Sequence, residues 1–479
     1  MSTQEKTFRG TPFYYISIAI TAIIMFCFHL LPTFGSVTTT GLWVIGIFIG
    51  LVWGWSTCDL LVPSIMGLVA FGFSGLYDNV TASFSAGIGN QNTLILLVLF
   101  VILGVLQVSG ITRWMGIKLT SLKIARGKPW VLVFVLFFTS YALQALSGSM
   151  AACLLVWTIF YDMVAVQKIE KGPFTQFVIF GIIIAGIFAG QLFPFTWVVL
   201  TLTDTYSNVS GLPAPSYAPY MLWMFVIHMI VFVAMILFAR VLFRIKAPDI
   251  QPNNEEAQPL NSFQKISLGL LIAFIVLLTG AGLLPQDSAI AIFLNKFSVV
   301  GMAAVVIIVI FGLRFKSAVS FEEYMASATN WSLIFTVAVV SVLSSAISAD
   351  ATGILPWVNE VFAPLFAGTS KIVFIILITL IPAVLTNFLN NLVMGVIFIP
   401  ISYTFATALG LNPLIFCVML IHLVSVATMT AAGCQPAAIL HANTEWITSR
   451  QAFKFGTVLT IVNWALTLIV GYPLATLLF

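Results

Sequence analysis

No Asp, Glu, Lys, Arg or His occurs from residue 129 to 160, nor from 372 to 405. Each run is longer than the roughly 20 residues that one helix needs to cross a bilayer and too short for two full crossings. Basic residues flank the first run on both sides, Lys118, Lys123, Arg126 and Lys128 before it and Lys168 and Lys171 after it. By the bias that keeps Lys and Arg in the cytoplasm, both of its ends lie on that face. A segment that starts and ends on one face is two tight spans or a re-entrant hairpin, and arms of about 15 residues favour the hairpin. The first hairpin turns at Gln144, Ser147, Gly148 and Ser149; the second turns within 386–391, where Asn387, Asn390 and Asn391 interrupt an otherwise apolar sequence. An amide without a partner is expensive in hydrocarbon. The tips therefore need polar company, either the protein's own backbone or a ligand and ion.

Composition fixes the class. Of 479 residues 61% are apolar and 7% charged, against about 25% charged in soluble proteins. The apolar runs are about 20 residues long and lack strand alternation, so the chain reads as an all-α polytopic membrane protein rather than a barrel. The net charge of +4 is not gathered into a basic stripe with aromatics, which argues against nucleic acid as a partner. Cys27, Cys58, Cys153, Cys417 and Cys434 show no CxxC spacing and read as small core residues. His29, His228, His422 and His441 have no HxxxH spacing, so a metal site beyond a sodium ion is not expected. His422 and His441 flank the second broken span, and proton coupling there is the lesser reading. The first apolar segment, 13–31, is long enough to span and lacks a small-residue cleavage pattern.

The charges order the rest. Lys6 and Arg9 put the N-terminus in the cytoplasm, with spans at 13–31, 41–58, 61–77 and 92–110 making up an N-terminal scaffold, 1–110. The first repeat, 111–246, holds an interfacial helix, the hairpin 129–160, a broken span 174–201 and a span 221–243. Asp204 is expected to begin an external loop. A polar cytoplasmic linker, 247–265, precedes second scaffold spans in 266–348. The second repeat, 349–479, has an interfacial helix, the hairpin 372–405, a broken span 413–440 and a span 455–479 that ends outside. Of the 19 Lys and Arg, all but Lys296 and Lys371 then fall in the cytoplasm. The sum is about 11 transmembrane helices plus two re-entrant hairpins. The same order of elements, occurring twice with opposite orientation, is the signature of an inverted-repeat secondary transporter.

In such a plan, tips and interrupted spans meet near the midplane and present free helix ends, whose N–H groups suit an anion and whose carbonyls suit a cation. Pro194 and Pro436 mark the helix breaks. The expected ligand contacts are Ser147, Gly148, Ser149, Asn387, Asn390, Asn391, Thr196 and Thr430, with Ser147, Asn391, Thr386 and Gln435 around a cation. The acidic residues map to segment ends or loops, which argues against the mid-membrane carboxylate of a cation/proton antiporter. No catalytic constellation supports an enzyme.

The tips Ser147-Gly148-Ser149 and Asn390-Asn391-Leu392, the latter followed by VMGVIFIP, together with Gln435-Pro436-Ala437-Ala438 in the second broken span, resemble the divalent anion/sodium symporter family, the di- and tricarboxylate carriers of the ion transporter superfamily. In topology the resemblance runs the whole length. It implies a Ser-Asn-Thr triplet at each tip that contacts substrate carboxylate and sodium. Gly148 stands here for the first asparagine and Leu392 for a threonine. It further implies an elevator movement in a homodimer of the inner membrane. A di- or tricarboxylate carrier, with sodium as the candidate coupling ion, is the first expectation; a sodium-independent exchanger, or a carrier of a monocarboxylate, gluconate-like or oxyanion substrate, is the alternative.

Overall fold

The computed structural model describes residues 11–148, 150–252, 258–284, 288–312, 322, 329–366, 368–431 and 433–479. Among these the chain is helical, with no strand. It opens with α1 (Pro12–Cys27), α2 (Thr39–Thr57), α3 (Leu61–Phe71), α4 (Val80–Ile88) and α5 (Gln91–Val108). Next come α6 (Ile111–Thr120), α7 (Pro129–Ser147), α8 (Ala151–Val166), α9 (Pro173–Leu192), α10 (Trp197–Ser210) and α11 (Tyr217–Val241). Between the halves lie α12 (Ser262–Leu283), α13 (Ala289–Gly312) and α14 (Trp331–Ser348). The order of α6 to α11 then recurs: α15 (Ile354–Phe366), α16 (Lys371–Leu385), α17 (Asn391–Ala408), α18 (Pro413–Ser425), α19 (Gln435–Ala442) and α20 (Ser449–Leu466). A π-helical turn, Thr467–Gly471, leads to α21 (Tyr472–Leu478).

Among the described residues eight helices are long and apolar enough to cross a membrane, or nine if Val80–Ile88 and Gln91–Val105, bent by 56°, form one span. The chain is thus an all-α polytopic membrane protein, whose remaining apolar helices are shorter pieces. One expected crossing takes another form. Residues 61–77 hold only the 11-residue α3, about half the thickness of the hydrocarbon core. The chain turns back after it because small residues permit it: a Cβ on Gly72 would come within 2.5 Å of the Cα of Val80.

Burial shows where the centre lies. The hydropathic window of α9 is 83% buried inside the molecule, against 22% for the segment containing α1, and every residue of α18 from Ile415 to Ser425 is buried. The two most enclosed helices are therefore the first arms of the two broken spans. Their enclosure needs close approaches: a Cβ on Gly181 of α9 would overlap the ring of Phe137 on α7, and one on Gly186 would meet the Cys153 Sγ on α8. Lys171, before α9, pairs with Glu445, after α19, at 2.6 Å and lies 4.2 Å from the centroid of Trp446. This contact ties a loop of the first half to one of the second.

Candidate anion and cation site

Each half brings two helix C-termini and two helix N-termini together. In the first half α7 ends at Ser147, which is 2% exposed. Gly148 takes φ +60° and donates its N–H to the Gln144 carbonyl at 2.8 Å. This left-handed turn suits glycine, and a Cβ there would also sit 2.6 Å from Leu103. Ser149 lies outside the described residues. The break in the first span covers 193–196, with buried Pro194 between α9 and α10. Thr196 donates its hydroxyl to the Gly190 carbonyl at 2.7 Å and also bonds that of Phe193, so it satisfies carbonyls that α9 leaves open at its end. Tip and break are adjacent: Ala145, Leu146, Phe193 and Phe195 line one small apolar recess with Leu103 of α5 and Phe274 of α12.

The second half is far more polar. Thr386 and Asn387 are fully buried. The carboxamide of Asn387 is spent on the protein: Nδ2 donates to the Ala383 carbonyl at 2.9 Å and to Thr460 Oγ1 at 3.3 Å, while Oδ1 accepts from the backbone N–H groups of Thr428 and Met429 at 2.9 and 3.0 Å. Those four bonds exhaust a carboxamide. Thr386 donates to the Val424 carbonyl at the end of α18, and Thr430 to the backbone carbonyl of Asn387. Asn390 caps α17, its Oδ1 accepting from the Leu392 N–H at 2.9 Å; Asn391 Oδ1 accepts from the same N–H at 2.8 Å. The Asn391 N–H reaches the Gly433 carbonyl at 3.4 Å, which places the N-terminus of α17 against the unwound segment 426–434. Both asparagines are part-exposed. Gln435 is exposed and opens α19, with Pro436 in the first turn, a position where the missing N–H costs nothing.

The structure thus gathers Thr386, Asn387, Asn390, Asn391 and Thr430 into one cluster, and Ser147, Gly148, Pro194 and Thr196 into another. Gln191 at the end of α9 joins the two through His422 of α18, at 3.0 Å. No Lys, Arg, Asp or Glu contributes to either cluster among the described residues. The arrangement offers helix N-termini to an anion and helix-end carbonyls to a cation, with neutral side chains to orient both.

The C-terminal half of the chain, residues 209–479, matches the sodium:sulfate symporter transmembrane region. The chain belongs to the sodium:sulfate symporter family. It is therefore a secondary membrane transporter of the divalent anion/sodium symporter kind. Its fold is similar to that of the Alcanivorax borkumensis YdaH transporter, with a TM-score of 0.57 and 15% identity over 91% of this chain and 99% of that one. No curated protein sequence matches it.

In this symporter-family chain several polar residues near the site escape a reading of the sequence. Thr428 is fully buried with no hydrogen-bond partner for Oγ1; the unwinding between Ser425 and Pro436 is the one signal that pointed to it. Thr460 and Asn463 of α20 look like ordinary helix residues until Asn387 and His422 are found against them. Asp204 is not in an external loop but inside α10, facing Ser341 of α14 and Asn208. Its Oδ2 is buried without a hydrogen-bond partner. A carboxylate in sequence reads as the end of a span, which is why its place was misjudged.

Proposed function

We propose that the protein carries a small organic anion, a di- or tricarboxylate, across the inner membrane by an elevator-type movement coupled to sodium. One observation carries this reading: the N-terminus of α17, dressed with Asn390 and Asn391, abuts the unwound segment of the second broken span where no fixed charge competes. Asn391 and Asn390 bind the anion there, Ser147 and Thr196 approach it from the first half, and Asn387 holds the unwound backbone in place. The cation sits among the carbonyls at the ends of α16 and α18, with Asn391, Thr386 and the Thr428 hydroxyl at hand. The chain works as a homodimer with its N-terminus in the cytoplasm and its C-terminus outside.

A second reading, an inorganic oxyanion such as sulfate, is favoured by the family description and by the lack of any Arg to grip a carboxylate in two-point fashion. Uptake into proteoliposomes of succinate, citrate, sulfate, lactate and gluconate, with and without an inward sodium gradient, separates the two. Asn391→Ala is expected to abolish uptake of the preferred anion while the protein stays folded. Unchanged uptake in that variant would remove the second tip from the mechanism.

A further inference from the structure

Two fully buried histidines, one from each half, meet at the centre of the molecule. The rings of His228 on α11 and His422 on α18 lie with centroids 5.3 Å apart, both at 0% exposure. Phe188 of α9 stacks on His228 at 4.6 Å and on His422 at 5.5 Å, and Trp223 meets His422 edge-on. Tyr141 of α7 is hydrogen-bonded to His228 Nδ1 at 3.0 Å. His422 Nδ1 lies 3.0 Å from Gln191 Oε1, and Nε2 lies 2.8 Å from Asn463 Oδ1. His228 Nε2 has no hydrogen-bond partner. The other titratable groups packed around the pair are Tyr141, Tyr220 and Cys417; Lys128, Arg240, Arg450 and Lys454 stand at the far ends of the same helices, more than two turns away.

His422 therefore faces two amide oxygens. An imidazolium donates to both, whereas a neutral ring has a single N–H, so that one carboxamide must turn and offer its NH₂ instead. The pair is also wired to the second tip. Asn463 lies one helical turn from Thr460, which receives the Asn387 Nδ2, and His422 lies two residues before Val424, whose carbonyl holds Thr386. A lone imidazolium at this depth is costly because none of the surrounding groups carries a negative charge. An anion at the tip supplies that charge.

We propose that the His228–His422 pair is a proton site that loads together with the anion. The inference rests on the anion-carrier reading and adds a proton to the sodium that couples it. The step is a proton transfer alone: a ring nitrogen lone pair of His422 takes a proton from solvent on the loading side and returns it on the release side, with Gln191 and Asn463 accepting from the charged ring. The same single proton has a second seat on His228, whose Nε2 lacks a hydrogen-bond partner among the described residues. The sign is fixed by this linkage: lowering the pH tightens anion binding, and raising it weakens binding.

The test uses purified full-length protein in weakly buffered detergent solution with sodium chloride present throughout, titrated with sulfate, succinate and citrate while a pH-indicator dye counts protons. Sulfate keeps its charge between about pH 5 and 8, and the titration of the carboxylates is subtracted from a protein-free blank. The wild type is expected to take up about one proton per bound anion, with Kd tightening by up to tenfold per pH unit. His422→Gln and His228→Gln should bind at pH 8 but take up none and show a flat profile. Spectra of ¹⁵N-histidine wild-type protein, with its four histidines, read the pair without any substitution: anion at pH 6 should convert a buried ring to the imidazolium form. Anion binding with no proton uptake and no change in either ring overturns the proton site and leaves the carrier reading standing. Proton uptake that persists in both variants overturns it as well. If none of the anions binds, the carrier reading falls, and the inference with it.

Discussion

Asn387 and Asn391 are four residues apart and have opposite jobs. The carboxamide of Asn387 is saturated by the protein, and deleting it would leave the buried N–H groups of Thr428 and Met429 without an acceptor. Each orphaned group costs about 1–3 kcal/mol, so Asn387→Ala is expected to lose roughly 2–4 kcal/mol of stability, read as a marked drop in thermal unfolding temperature. Asn391→Ala removes a part-exposed side chain whose bond to the Leu392 N–H duplicates that of Asn390. Its unfolding should stay close to wild type while uptake disappears. A wild-type melting curve for Asn387→Ala would mean that its four bonds do not hold the segment. Both asparagines were visible in sequence as polar intruders in a run that should be apolar. Which of them serves the protein and which faces outward was not, because that depends on backbone groups some forty residues further along the chain.

Among the elements, the two halves also meet where α17 lies on α10. A Cβ on Gly395 would come 2.3 Å from one methyl of Leu202 and 2.7 Å from the other. Gly395→Val should wedge the second hairpin away from α10 and lower the unfolding temperature, and Leu202→Ala in the same chain should restore part of the loss. A coupling of about 1 kcal/mol or more in this double-mutant cycle is the expected result; simple additivity would mean that the helices do not bear on each other there. At this scale much was legible. Each of the two uncharged runs holds a pair of helices broken at its expected tip, and Pro194 and Pro436 fall at the two interruptions, because charge and proline act locally. The turn after α3 was hidden, since the tolerance of Gly72 for Val80 depends on a packing contact that hydropathy does not register. Asp204 was hidden for the converse reason: the hydroxyl that accompanies it, that of Ser341, belongs to α14, far away in sequence.

For the whole molecule, the interface of α10 with α14 is where an elevator movement would be felt. Thr205 Oγ1 and Ser344 Oγ lie 2.8 Å apart and both side chains are buried, near enough for a disulfide if both were cysteine. Oxidised Thr205→Cys/Ser344→Cys protein should bind anion yet fail to take it up, and a reductant should restore uptake. Full uptake by completely cross-linked protein would show that α10 and α14 do not part during transport. The bonds of Asn387 bear on the same motion. They run to its own helix, to α20 and to the backbone beyond α18, so the second tip cannot hinge outward like a flap without tearing all of them at once. Hairpin, broken helix and final span are clamped into a single cartridge. In the elevator movement proposed above, the opening through which cargo enters and leaves would be made by sliding the cartridge past its frame, and the second tip would travel with the cargo as part of its container.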